Sequence, residues 1–63
     1  MEMRPKAGEE VRHVSTGDVG VYRGTDAPDG FAEWALVEWP RGGPGMVGRD
    51  GLARVAPSLL VRQ

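Results

Sequence analysis

His13 is the single histidine of this 63-residue chain, and Glu10 and Asp18 stand close to it in sequence. An imidazole beside a carboxylate is the usual material of acid–base catalysis. A nucleophilic mechanism further needs a hydroxyl within reach of the base and a site for the oxyanion. Ser15 and Ser58 are the only serines, and no pattern joins either one to His13 and an oxyanion site. The expectation is a strand-filling or surface histidine, with no catalytic residue.

Metal and phosphate chemistry are equally poorly served. The chain has no cysteine, whereas structural zinc takes about four ligands of the Cys/His type. Asp26, Asp29 and Asp50 lack the regular spacing and terminal glutamate of an oxygen-ligand calcium loop, so they read as carboxylates that cap loops. Gly42-Gly43-Pro44-Gly45 is glycine-rich but has neither the lysine nor the following helix of a phosphate-binding loop. No metal and no cofactor is expected.

The charge pattern bears on partners. Residues 7–57 carry five arginines against eight carboxylates, while the flanks carry Arg4, Lys6 and Arg62 against Glu2. Nucleic-acid affinity rests largely on neutralising phosphates, and an acidic body opposes it. Arg23, Arg41, Arg49 and Arg54 are dispersed, so a nucleic-acid surface with Tyr22 or Phe31 is the lesser alternative. No apolar run approaches a membrane span and no signal-peptide pattern opens the chain. A cytoplasmic protein is expected.

The elements that must position these residues are strands. Ten glycines and five prolines punctuate short runs rich in valine, and no stretch carries a sustained helical stripe. EVRHV (residues 10–14), VGVYRG (19–24), the long FAEWALVEW (31–39), Met46-Val47 and ARVA (53–56) read as about five antiparallel strands. TDAPDG (25–30) and PRGGPG (40–45) read as loops. RDGL suits a single helical turn with Asp50 as its N-cap and Leu52 plugging the core. The expected organisation is a leader over 1–7, a β-domain over 8–57 and an apolar tail over 58–63.

Three segments carry a resemblance. G-x-x-V-R-x-x-S-T-G-D-x-G-V at Gly8 to Val21 resembles the opening of small SH3-like barrels of the KOW and Tudor-like kind. A-L-V-E-W-P-R-G-G at Ala35 to Gly43 resembles their middle strand and turn. G-R-D-G-L-A-R-V at Gly48 to Val55 resembles their 3₁₀ turn and closing strand. The resemblance implies an all-β, SH3-like barrel with one 3₁₀ turn before the last strand, a closure that removes exposed edges. Pro44-Gly45-Met46-Val47 is similar to the plasmid-borne type II dihydrofolate reductases, whose V-Q-I-Y run lines a pore. Here the run is Val47-Gly48-Arg49-Asp50, so the catalytic Gln, Ile and Tyr are missing. RNA-binding members of the KOW class carry basic loops, where this chain has Asp18 and TDAPDG.

Trp34 and Trp39 are five residues apart, an odd spacing that sends them to opposite faces of a strand. Ala35, Val37 and Trp39 match the core face; Trp34, Leu36 and Glu38 then point outward. Tryptophan with leucine supplies the apolar centre that interfaces use, and Arg41 and Arg49 are placed to bond a partner's carboxylates. The expectation is a non-catalytic interaction module, of the size of small adaptor or inhibitor proteins of phages and mobile elements. It binds a protein partner or a second copy through Trp34, Leu36, Glu38, Arg41 and Arg49. The alternatives are a nucleic-acid-associated barrel and a subunit of an oligomeric small enzyme.

Overall fold

The alternating runs form strands, and register decides what each side chain meets. The computed structural model describes residues 4–63. It contains β1 (Glu10–His13), β2 (Val19–Asp26), β3 (Trp34–Glu38), β4 (Met46–Val47), β5 (Ala53–Val55), a 3₁₀ turn (Pro57–Leu59) and β6 (Leu60–Arg62). All ladders are antiparallel, and the sheet order is β4-β5-β3-β2-β1-β6. Among the described residues no helix is long and apolar enough to cross a membrane.

The inward face follows the period of two. Val11 of β1, Tyr22 of β2, Ala35 and Val37 of β3, and Ala53 and Val55 of β5 form one buried cluster, with Trp39 and Leu60 packed against it. Cross-strand partners on a face are the unit of sheet packing, and the register Tyr22↔Val37 and Val37↔Ala53 runs straight through this core. Trp39 lies so close to β2 that a Cβ on Gly20 would sit 2.6 Å from its Cε3 and 2.8 Å from the Glu38 carbonyl. Gly43 backs the same indole, at 2.8 Å from Cγ and Cδ2. Two residues without side chains thus make the slot into which the core tryptophan fits.

The sheet is open, and this corrects the expected SH3-like barrel, whether KOW, Tudor-like or reductase-like. Closure requires the two edge strands to exchange hydrogen bonds. Here β5 carries β4 on its outer side, while the outer side of β1 is taken by β6. No ladder joins β4 to β6, so these two strands remain as the ends of a six-stranded open sheet. Leu60–Arg62, expected in the tail, is that sixth strand: Val11 lies opposite Arg62, Arg12 opposite Val61 and His13 opposite Leu60.

The 3₁₀ turn also moves. It sits at Pro57–Leu59, with proline at its start, where the missing N–H costs nothing. RDGL forms no helical turn; Asp50 Oδ1 accepts the Leu52 N–H at 3.0 Å in a local side-chain turn, and Leu52 is half-buried. Strand β2 runs on through Thr25 and Asp26, past an irregularity in register between Tyr22 and Thr25, so the TDAPDG loop begins two residues later than its composition suggests. Of the expected leader, residues 1–3 lie outside the described residues. Arg4 Nη2 stands 3.1 Å from Glu33 Oε1, and the Lys6 N–H donates to Glu9 Oε1 at 2.6 Å.

Candidate functional site

The outward face of the sheet is built by the opposite parity. In β3 it carries Trp34, Leu36 and Glu38, the first two half-buried and the third exposed. Register supplies their neighbours: Asp26 beside Trp34, Arg54 beside Leu36, Val21 beside Glu38, and Met46 beyond Arg54. Met46, Arg54 and Leu36 therefore form one cross-strand row on this face.

Two ion pairs organise the face. Arg23 reaches Glu38 Oε1 through both Nε (3.0 Å) and Nη2 (2.8 Å). Arg54 reaches Asp26 Oδ2 through Nε (3.1 Å) and Nη2 (2.7 Å), and its Nη2 lies 3.8 Å from Asp50 Oδ2. Asp26 belongs to β2 and Arg54 to β5, so their contact spans β3, between Trp34 and Leu36. Register sets this polar strap beside both half-buried apolar side chains.

Of the five residues expected to meet a partner, Trp34, Leu36 and Glu38 share the strand face. Arg49 lines an adjoining groove of about 430 Å³ with Pro28, Met46, Val47, Asp50 and Arg54. Arg41 does not join them; it lines a separate cleft of about 270 Å³ with Asp18, Val19, Trp39 and Pro40. The three most exposed large apolar side chains among the described residues are not among those five: Phe31 at 94%, Met46 at 70% and Val47 at 63% exposure. Alternation signals a strand at Met46-Val47, but a two-residue edge strand has no neighbour on its outer side, and that is a fact of topology.

Two carboxylates, Asp29 and Glu9, are engaged by neighbouring donors. Asp29 Oδ1 accepts the N–H groups of Phe31 (2.9 Å) and Ala32 (3.0 Å), which hold its carboxyl below the ordinary value. Glu9 is likewise held low, first by the Lys6 N–H and then by Arg62, whose Nη2 lies 2.7 Å from Oε2. Among the described residues, no three His, Cys, Asp or Glu side chains gather closely enough to hold a metal ion.

His13 is buried and points inward, its ring centroid 6.3 Å from that of Trp39. Its Nδ1 accepts the Ser15 N–H at 3.1 Å. Glu10, three residues earlier, points to the opposite face. The acid–base pairing of His13 with Glu10 is therefore not assembled, and the imidazole serves the hairpin turn. The Trp39 indole N–H is buried without a hydrogen-bond partner among the described residues.

No protein-family model matches the chain, and neither the curated proteins nor the solved structures yield a match.

Proposed function

We propose that the chain is a non-catalytic interaction module that docks another protein on the outward face of β3, β5 and β4. The observation that carries this reading is the row Met46–Arg54–Leu36 beside Trp34. It sets an exposed methionine and the half-buried Leu36 on either side of Arg54, with Trp34 two positions along β3 from Leu36 and Arg49 at the rim. An apolar centre bordered by charge is the anatomy of a protein interface, and tryptophan is a frequent energetic anchor there. Methionine adapts its shape to a partner at little cost. Arg49 makes no ion pair with the described residues, so a partner's carboxylate would gain a charge-assisted bond without displacing an existing one. Glu38, held by Arg23, closes the other side of the patch.

The test is affinity capture with the wild-type chain, Met46→Glu and Trp34→Ala, with each variant's thermal melting measured in parallel. The reading requires a defined protein to be captured by the wild type and lost with Met46→Glu at unchanged melting temperature. Capture that is equal for all three chains, or loss only where melting also falls, sinks it.

A further inference from the structure

A second outward region lies on the other half of the sheet. Glu10 and Arg12 are exposed on the same face of β1, two residues and therefore about 7 Å apart along the strand. Neither makes a side-chain hydrogen bond or ion pair with the described residues. Register sets Arg12 between Val61 of β6 and Val19 of β2, each 37% exposed, and sets Glu10 beside Val21. The result is an opposite-charge pair, unengaged among the described residues, set in a field of valines.

This patch is its own complement. A two-fold axis lying across the strands, over Val11, lays β1 of one copy antiparallel on β1 of another. Glu10 then faces Arg12 of the second copy and Arg12 faces its Glu10, while Val19 of each copy meets Val21 of the other. Isologous interfaces demand such a self-complementary surface. Face-to-face sheets pack about 10 Å apart, a gap that a glutamate and an arginine extended toward each other can bridge. We propose that this face of β1 and β2 takes a second copy of the chain, in a two-fold dimer held by two reciprocal Glu10–Arg12 ion pairs and a core of valines. The dimer leaves the Met46–Leu36 half of the sheet open.

The test uses opposite charge reversals and sedimentation or light-scattering mass over a wide concentration range. Arg12→Glu gives each copy two carboxylates on this face, and Glu10→Arg gives each two guanidiniums. Like charges then meet across the axis, and each single variant should lose at least about tenfold in dimer affinity. An equimolar mixture of the two singles restores the opposition and should recover a heterodimer, resolved by native mass spectrometry. The double reversal Glu10→Arg with Arg12→Glu should dimerise like the wild type, which keeps the test decisive even if one single variant folds poorly. Met46→Glu should leave dimerisation unchanged. A wild-type chain that stays monomeric, singles that dimerise normally, a mixture and double reversal that stay monomeric, or dissociation by Met46→Glu would each overturn the proposal.

Discussion

Arg54 and Asp26 are joined across β3, the strand that separates theirs: the guanidinium and carboxylate meet at 2.7 Å above the gap between Trp34 and Leu36. The contact ties three strands at one point. Its side chains are 17% and 34% exposed, against 46% and 55% for Arg23 and Glu38. Both pairs carry two hydrogen bonds, so shielding is what separates them: exposed pairs are heavily screened and contribute little.

A double-mutant cycle on Arg54→Ala and Asp26→Ala should therefore return a coupling of about 1 kcal/mol, and the equivalent cycle on Arg23 and Glu38 only a few tenths. Urea unfolding measures both. Equal couplings would mean that crossing β3 confers no advantage.

Gly48 controls the same strap from beneath. A Cβ there would collide with the Arg54 guanidinium. The atoms in the way are the end of a flexible side chain that can swing aside, so Gly48→Ala should cost no more than the coupling it breaks, about 1 kcal/mol. In an Arg54→Ala background the same substitution should be nearly silent, because the obstructed group is gone.

Gly20→Ala meets a harder obstacle, since backbone is among the atoms within 3 Å of the new methyl group. The expected loss is about 1–3 kcal/mol, with a change in Trp39 fluorescence as the indole is pushed from its slot. An unchanged emission spectrum and midpoint would refute the close packing of β2 on Trp39.

Leu60 faces inward from β6, opposite His13, and packs on the core. Leu60→Ala should destabilise the fold by about 2 kcal/mol, the low end for leucine because the side chain is half-buried. If residues 58–63 behaved as an unattached tail, the substitution would leave the unfolding midpoint where it was.

Stability should be retained at neutral pH and fall on acidification. The Glu9 and Asp29 carboxyls are held below their ordinary values of 4.5 and 3.8. A depressed folded-state value means stability that is fully present above the unfolded value and lost as pH drops through the folded one. Denaturation midpoints measured from pH 7 to pH 3 should decline below about pH 4.5, and Glu9→Gln should make the decline shallower.

Much of this structure was legible without coordinates, for a local reason. Alternation in a strand is a property of neighbouring residues, so Ala35 and Val37 could be assigned to the core and Trp34, Leu36 and Glu38 to the outside. Turn chemistry is local too: STGD and PRGGPG fall between strands as composition predicts, while TDAPDG gives its first two residues to β2. The barrel was not legible in this way. Leu60-Val61-Arg62 is too short and too plain to announce a strand, and it becomes one only because β1 offers it a free edge. With β4 at one end and β6 at the other, and no ladder between them, the sheet is open where a closed meander is expected.

Sequence by itself therefore determined the β character, the strand parity, the separation of the two tryptophans and the absence of cysteine chemistry. Tertiary structure decided which strands are neighbours. It set Arg54 over Leu36 and against Asp26, turned Glu10 away from His13, lined Arg12 with valines from two other strands and left Met46 at an edge. Each of these is a contact between residues distant in the chain. Register and edge pairing create such contacts, and neither is written in the order of the residues alone.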